Sequence, residues 1–376
     1  MLMPDKVQAL PCRMALLFAG SSRQNIKIAC TWRERMNVKL VCVALVGLYS
    51  CAAFAEVSIS GKISGAYAWR QSVDAPSQYG VKDAGSEIDF SGSEDLGNGM
   101  TAIWRMNNNI HVAASPLGTT PAGDTFASGD TWLGLSGPAG TIKLGHGINA
   151  YGDGYWNGNF YDLGDHGPDK GVGGVIGKGD AGGQKGAIKY ETPVWGHVSG
   201  AVSYAFAERA GAGNGNAWAA SANWEDTAFG VHVGYTRQAL VDSNQNDAGH
   251  VADWLLAGKF MPIAGLTLSV EDNHSRLSAN ALTGSVLSFA VPSGNAAQNS
   301  VSLRAEYKPQ RLALRAGYIH TSNYRYDPGV KRDEYLLGVG YSLSKRSSMF
   351  AEYLHSKVSS DARASKGLEF GLRINF

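Results

Sequence analysis

The C-terminal stretch Leu368-Glu369-Phe370-Gly371-Leu372-Arg373-Ile374-Asn375-Phe376 alternates between apolar and polar side chains. Its apolar residues fall on even positions, while Glu369, Arg373 and Asn375 fall on odd ones. Successive side chains of a β-strand point to opposite faces of a sheet. The segment 301–308 repeats the alternation with its apolar residues on odd positions. Both stretches therefore predict strands with one apolar face and one face of ions and amides.

Such apolar faces can be buried between the sheets of a soluble sandwich or exposed to lipid. Aromatic residues near the strand ends favour lipid, because outer-membrane barrels carry aromatic girdles at both interfaces. These residues are Tyr67, Trp69, Trp254, Phe260, Tyr335 and Tyr341. The polar faces hold full charges such as Arg304 and Glu306, as expected beside a water-filled lumen. We therefore predict an all-β fold, an antiparallel transmembrane β-barrel whose last strand ends on Phe376.

Sixteen strands of this kind can be counted. The predicted cores are 56–70, 86–92, 99–110, 130–137, 140–147, 185–192, 196–207, 215–225, 228–238, 250–260, 265–274, 299–308, 311–321, 333–344, 346–357 and 366–376. The connections alternate between short turns and long loops, and the long ones include 71–85, 111–129 and 148–184. This alternation is typical of outer-membrane barrels, and an even strand count places both termini on the short-turn, periplasmic rim. Closure leaves no unpaired sheet edge in the lipid.

The residues before the first strand have the order of a secretory signal peptide. Met36-Asn37-Val38-Lys39 precedes an apolar run ending at Leu48, and Ala53-Phe54-Ala55 supplies an A-x-A cleavage site. Cleavage after Ala55 leaves Glu56 as the first mature residue. Lipid attachment at Cys51 is the alternative to this cleavage.

We accordingly divide the chain into an over-extended N-terminus (1–35), a signal peptide (36–55) and a β-barrel (56–376). A long n-region that begins at Met1 is the alternative for residues 1–35. All four cysteines lie before residue 56, so the barrel is predicted to fold without disulfides.

Composition argues against several other classes of protein. Charged residues make up only 17% of the chain and the net charge is +1, so no nucleic-acid partner is indicated. No serine lies in a nucleophile-elbow context, and the acid–histidine pairs Asp165-His166 and Asp272 with His274 are interpreted as chance neighbours. The histidines are not at metal-ligand spacing. We predict that the protein is not an enzyme and needs no metal or cofactor.

Four motifs resemble the general porins of beta-proteobacteria, the Neisseria and Burkholderia type. They are GSEDLGNGMTAIWRMN (92–107), WLGLSGPAGTIKLGHG (132–147), IKYETP (188–193), and YSLSKRSSMFAEYLHSK (341–357) before GLRINF (371–376). The resemblance spans the barrel region. It implies a homotrimer of 16-stranded barrels in the outer membrane of a Gram-negative bacterium. It also implies one pore per subunit, narrowed by a third long loop that folds inward.

That loop corresponds to Ile148–Gln184, the longest connection of the chain. It carries the candidate constriction acids Asp153, Asp162, Asp165 and Asp169. Strand parity proposes Arg105, Lys143 and Lys189 as lumen-facing bases on an opposing wall. Acids and bases that face each other create a transverse field in a narrow aqueous pore. The alternative is that the aspartates only solvate an external loop.

The sequence departs from the family before the SEDLG motif. The family shows a basic strand of the type SR-aromatic-G-x-R-G, whereas here Glu87 and Ser91 occupy the two basic places and Asp89 adds another acid. A family arginine after the fifth strand is replaced by His146. With Glu87 and Asp89 in the lumen, we expect a pore that is less anion-selective than its relatives, or even cation-selective.

The function that follows is passive diffusion of ions and small hydrophilic solutes across the outer membrane. One alternative is a channel selective for one nutrient class, with Tyr151, Tyr155 and Trp156 forming a binding track. The other is a surface adhesin or antigen built on a closed barrel.

Overall fold

The computed structural model describes residues 56–73, 75–113, 126–127, 129–152, 186–207, 213–241, 246–279 and 294–376. The predicted signal peptide and the segment before it lie outside the described residues. Within the described part of the chain, no helix is long and apolar enough to cross a membrane.

One closed antiparallel sheet contains every described strand. The strands are β1 (Glu56–Gln71), β2 (Gln78–Asp83), β3 (Ser86–Gly97), β4 (Met100–Ile110), β5 (Thr131–Gly137), β6 (Gly140–His146), β7 (Ala187–Glu191), β8 (Val198–Ala205), β9 (Gly213–Glu225), β10 (Phe229–Val241), β11 (Asp247–Ile263), β12 (Leu266–Ala279), β13 (Gly294–Tyr307), β14 (Leu312–Ser322), β15 (Lys331–Ser342), β16 (Ser347–Val358) and β17 (Ser365–Asn375). Strands that are neighbours in sequence pair with each other, except that β2 and β3 both pair with β1. The short turns and the longer connections alternate around the sheet as predicted.

The two ends of the chain close the barrel. β1 pairs with β17 from Lys62 opposite Asn375 to Gln71 opposite Lys366. Beyond this ladder, Gly61 and Phe376 exchange backbone N–H···O hydrogen bonds of 3.1 and 3.0 Å. The last strand thus ends on Phe376 against β1, as the terminal alternation predicts.

The second crossing differs from the prediction. The segment 71–85 was expected to be a loop, but β2 already pairs with the upper half of β1, and β3 pairs with its lower half. The break at Ala84–Gly85 shifts the register by one residue, so β2 and β3 form one crossing with an interruption. The Asp83 carboxylate accepts hydrogen bonds from the backbone N–H groups of Gly85 and Ser86 at 2.8 and 3.0 Å. This turn-like sequence therefore bends the strand without ending it, and the described sheet has sixteen crossings.

Side chains sort by parity around the whole sheet. Large apolar side chains point outward and are exposed, among them Tyr67, Trp254, Phe260, Tyr335 and Tyr341 of the predicted girdles. Most of the buried polar and charged side chains point inward, together with some apolar ones such as Leu255 and Leu336. Because the strands keep this alternation, the outer surface is mainly apolar and suited to contact with lipid, whereas the inner surface is mainly polar and suited to contact with water.

Candidate functional site

The lumen-facing side of β1 and of β3 to β7 forms a charged wall, defined as Lys62, Glu87, Asp89, Arg105, Lys143, Lys189 and Glu191. The registers align these positions. Asp89 lies opposite Asn107 and Ser91 opposite Arg105, whereas Lys143 lies directly opposite Lys189. All five strand residues proposed from the sequence (Glu87, Asp89, Arg105, Lys143 and Lys189) therefore lie on one inner face.

Two salt bridges form the part of the charged wall that lies on β1, β3 and β4. The Arg105 guanidinium donates from Nε to Asp89 Oδ1 at 2.7 Å. Asn107 Nδ2 donates to the same Asp89 oxygen at 2.9 Å. Lys62 Nζ lies 2.8 Å from Glu87 Oε1. The two acids that break the family pattern are thus compensated by nearby cations.

The part of the charged wall on β6 and β7 is centred on Glu191. Its carboxylate accepts a hydrogen bond from Lys143 Nζ at 2.6 Å and lies 2.7 Å from Lys189 Nζ. Two like charges directly opposite each other repel, so the carboxylate between them stabilises the pair. The Lys143 ammonium also lies 4.6 Å from the centre of the Trp132 ring, within cation–π range. The sequence analysis did not single out Glu191 or Lys62. Parity alone could have found both, since each shares its face with a residue that was selected.

The first residues of the third long loop lie inside the barrel. Ile148, Ala150 and Tyr151 are buried, and Tyr151 has 0% of its surface exposed. Ala150 N–H donates to Ser203 Oγ at 3.0 Å. The carbonyl of Tyr151 lies 3.0 Å from His232 Nε2, and its hydroxyl accepts a hydrogen bond from Asn273 Nδ2. The loop thus turns inward from β6 and contacts strands on the far side of the lumen.

A second tyrosine reaches the same region from the connection between β14 and β15. Tyr326 lies in a short 3₁₀ turn (Tyr324–Tyr326), and its buried hydroxyl is 2.6 Å from Ser275 Oγ. The neighbouring Arg325 N–H donates to Gln298 Oε1 at 2.6 Å. We call His232, Asn273, Ser275 and Gln298 the anchor wall. Asn273 and Ser275 lie on β12, which is eight crossings from β4 and so half of the circumference away from it.

These positions decide some of the predictions and leave others open. The candidate acids Asp153, Asp162, Asp165 and Asp169 lie outside the described residues, as do Tyr155 and Trp156. The proposed role of Tyr151 in a solute-binding track is wrong, because a fully buried ring cannot stack against a passing solute. Nothing in the sequence except its closeness to β6 indicates the anchoring role of Tyr151. Within the described residues, no group of three or more acidic, histidine or cysteine side chains could hold a metal ion.

The comparisons with known proteins agree with this architecture. The Gram-negative porin family model matches residues 41–361. The chain is 26% identical over 331 residues to the major outer membrane protein P.IB of Neisseria meningitidis serogroup B, covering 83% of this chain and 91% of that protein. It is 23% identical over 363 residues to the protein of the same name from Neisseria lactamica, covering 91% of this chain and 100% of that one.

Among solved structures, an anion-selective porin from Comamonas acidovorans superposes with a TM-score of 0.71 at 18% identity, covering 86% of this chain and all of that one. Salmonella typhi OmpF, in a complex with daunomycin, superposes with a TM-score of 0.63 at 15% identity over 86% of this chain and 98% of that one. A closed sixteen-crossing barrel with an apolar exterior and a charged lumen defines the class of outer-membrane channels. Within that class, the chain belongs to the Gram-negative porin family. It is an outer-membrane porin, through which ions and small hydrophilic solutes diffuse.

Proposed function

We propose that this porin narrows its lumen between the charged wall and the third long loop. In this arrangement Asp153, Asp162, Asp165 and Asp169 face Arg105, Lys143 and Lys189, while Glu87 and Asp89 add negative field beside those bases. The observation that carries the proposal is the inward path of Ile148–Tyr151 and its attachment to the anchor wall. The loop leaves β6 close to Lys143 and reaches β12, which is eight crossings from Arg105 on β4, so it is positioned to bring its acids across the water-filled gap. No bond is made or broken in this function.

The same charges give the proposed selectivity. The charged wall has four bases and three acids, and each acid contacts a base: Glu87 with Lys62, Asp89 with Arg105, and Glu191 with both Lys143 and Lys189. Compared with the family pattern, this wall has lost bases and gained acids. Adding the aspartates of the loop makes the proposed constriction net acidic, so small cations are favoured over small anions.

The reversal potential of the purified protein in planar bilayers under a potassium chloride gradient tests this directly. We expect a potential of the sign given by cation preference, or close to zero. A clear chloride preference would overturn the proposed selectivity, although it would leave the diffusion function intact. Substituting Asp162 and Asp165 by Asn should move the potential toward anion preference if the loop acids line the pore. An unchanged reversal potential would mean that those acids do not line the path of the ions.

We further propose a homotrimer in which the second long loop (111–129) reaches a neighbouring subunit. A solved Vibrio cholerae OmpT that this chain resembles in fold is described as a trimer form. In the described part of this loop, Phe126 is 72% exposed and its ring lies 6.2 Å from the outward-facing Phe90. An exposed aromatic on the lipid-facing side fits a contact between subunits. Migration as a trimer in native gels, lost on heating, is the expected result, and monomeric migration without heating would contradict it.

A further inference from the structure

The connection between β14 and β15 bends into the lumen. We call its residues 323–330 the strap. Tyr326 lies within the strap and has 0% of its surface exposed, and its hydroxyl is 2.6 Å from Ser275 Oγ on β12. Because β13 lies between β12 and β14 in the sheet, the strap has to cross the inner face of β13 to make this contact.

The backbone of the strap is strained. Arg325 and Tyr326 have φ angles of 57° and 61°, and Asn323 has a φ of 52°, all in the left-handed region. Asparagine adopts this conformation readily, but in other residues the Cβ atom comes too close to the following carbonyl oxygen. Strained residues persist only where surrounding contacts hold them, and they are common in switch regions. The backbone of the strap should therefore relax when its contacts with the barrel are released.

Hydrogen bonds to two neighbouring strands hold this strained conformation. The Arg325 N–H group donates to Gln298 Oε1 at 2.6 Å, and Asn323 Nδ2 donates to the Ala297 carbonyl oxygen at 3.2 Å. Both acceptors belong to β13, whereas the Tyr326 hydroxyl reaches β12. The buried ring of Tyr326 adds apolar contact to these hydrogen bonds. The closed position of the strap thus depends on the ring and on a small set of polar contacts.

The wall beneath the strap contains buried polar atoms that are not satisfied. Asp253 Oδ1, Asn273 Oδ1 and Gln298 Nε2 have no hydrogen-bond partner among the described residues. Asp253 lies directly opposite Ser275, the residue that contacts Tyr326. Buried polar atoms without a partner raise the free energy of the state that buries them. Because an open strap would let water reach this wall, these atoms favour opening.

The strap also lies over the attachment of the third long loop. Asn273 binds the Tyr151 hydroxyl and precedes Ser275 by two residues on β12, a spacing of about 7 Å along a strand. Ser275 is the nearer of the two to the long-loop rim, where β12 ends at Ala279. Tyr326 therefore blocks the path by which Tyr151 could leave the anchor wall toward that rim.

We propose that the strap switches between two positions and so sets the width of the lumen. In the closed position Tyr326 narrows the lumen and keeps Tyr151 on the anchor wall. In the open position the strap moves toward the long-loop rim and the pore is wider. Tyr326 is the positioning residue of this switch. Backbone strain and unsatisfied polar atoms favour the open position, whereas the buried ring and its hydrogen bonds favour the closed one, and such a balance allows both states to be populated.

Single-channel recordings of the purified porin in planar bilayers test this proposal. We expect the unmodified protein to make brief excursions to a higher conductance level. Tyr326→Phe loses only the hydroxyl contact with Ser275, so the ratio of time at the higher level to time at the lower level should rise about fivefold. Tyr326→Ala also loses the burial of the ring and should raise the ratio on the order of 100-fold.

The matched control is Tyr335→Phe, which removes a tyrosine hydroxyl from the lipid-facing side of β15. Tyr335 is 51% exposed there, and the recordings of this variant should equal those of the unmodified protein. A Tyr326→Ala channel that stays at the lower conductance level would overturn the proposal. Heat-dependent gel migration like that of the unmodified porin establishes that each variant has folded.

A change of opposite sign separates a switch from a merely structural role of the strap. Arg325→Asn keeps the N–H group that binds Gln298, and asparagine adopts the left-handed conformation with less strain. This variant should spend several times less of its time at the higher conductance level than the unmodified protein. An equal or longer time at that level would overturn the proposed switch, since loss of native contacts alone cannot favour the closed strap.

Tethering the strap provides the most direct measurement. All four cysteines of the chain lie before residue 56, so introduced cysteines are the only thiols in the described residues. The double variant Q298C/R325C, joined by a short bifunctional methanethiosulfonate, should lose the excursions and regain them on reduction. Each single variant treated with the same reagent should keep them. Excursions of unchanged frequency in the tethered protein would overturn the proposal.

The role given to Tyr151 rests on the proposed constriction between the third long loop and the charged wall, whereas narrowing by Tyr326 does not. The two proposals can therefore fail separately. Substitution of the loop acids is read from the reversal potential, and the strap is read from the conductance levels. If the acids prove to lie away from the pore, the effects of Tyr326→Ala and of the tether should still be observed.

Discussion

Two walls of the same lumen use the strand alternation for different chemistry. The charged wall of β1 and of β3 to β7 presents ions that form salt bridges, and some of them stay partly hydrated, such as Arg105 with a side chain 34% exposed. The anchor wall presents amide and hydroxyl groups that are fully buried, such as Asn273 and Ser275, against the hydroxyls of Tyr151 and Tyr326. Neutral polar groups can be buried at little cost when they are hydrogen-bonded, whereas ions keep water or an opposite charge. The difference fits the proposal that the loop is held on one side of the lumen while ions pass along the other.

The largest effect should come from removing the anchor itself. Substituting Tyr151 by Ala deletes a fully buried aromatic ring, a change that costs about 3–5 kcal/mol in a packed site. We expect the first residues of the loop to detach from the anchor wall, which widens the pore. Single-channel recordings should show a higher and noisier conductance than the unmodified protein.

The matched control for this change is Tyr151→Phe. It keeps the ring and loses only the hydrogen bond with Asn273, worth about 1 kcal/mol, so its conductance should stay near that of the unmodified protein. A Tyr151→Ala channel with normal conductance and noise would show that the loop does not depend on this anchor.

A smaller effect in the same direction is expected at Gly234, which lies inward on β10 beneath Tyr151. A Cβ added there would overlap the carbonyl oxygen of Tyr151, which is backbone and cannot rotate away. Overpacking of this kind costs about 1–3 kcal/mol. Gly234→Ala should therefore raise conductance noise and lower the thermal unfolding temperature.

Gly258→Ala provides the comparison for this glycine. Gly258 lies on β11 and its added Cβ would meet Val270 at an ordinary 3.6 Å. The added methyl group should be tolerated with unchanged recordings. If Gly234→Ala behaves in the same way, the contact between the loop and β10 is not required for loop position.

The smallest effect concerns the charged wall and changes selectivity rather than stability. Glu191→Gln removes the carboxylate shared by Lys143 and Lys189, which makes the wall more positive. One unit charge at about 8 Å in water is worth roughly 0.5 kcal/mol for a passing ion, with opposite sign for cations and anions, so the cation-to-anion permeability ratio should fall about sixfold. Reversal potentials in a salt gradient measure this ratio.

A charge change on the outside of the barrel separates a lumen effect from a general one. Asp333→Asn removes one negative charge from the lipid-facing side and should leave the reversal potential unchanged. Lys189→Gln should shift it in the sense opposite to Glu191→Gln. Equal shifts for Asp333→Asn and Glu191→Gln would mean that Glu191 does not act through the pore.

Much of the barrel was predictable because its physics is local. Alternation in stretches such as 301–308 and 368–376 gives both the strand and its two faces, and fifteen of the sixteen predicted cores agree with the observed strands to within a few residues. The second crossing was the exception. Asp83-Ala84-Gly85 has the composition of a turn, and only the paired β1 strand shows that the ladder continues past it.

The candidate site was predictable to a lesser degree. Parity correctly assigned Glu87, Asp89, Arg105, Lys143 and Lys189 to the lumen, since a strand residue has only two faces to choose from. It could not give the partners of these side chains. The pairing of Asp89 with Arg105 partly neutralises the negative charge of β3, and it depends on the register between β3 and β4.

The sequence by itself determined that this protein is a membrane barrel, which side of each strand meets lipid, and where the chain closes on Phe376. These features follow from the two-residue period of a strand and from the free-energy cost of placing a charge in lipid, and both act on each residue separately. Only the tertiary structure decided that Tyr151 attaches the third loop to β10 and β12, and that the acids of the charged wall are matched by bases. Those contacts join residues far apart in the chain, such as Tyr151 and Asn273, and closure of the sheet alone brings them together.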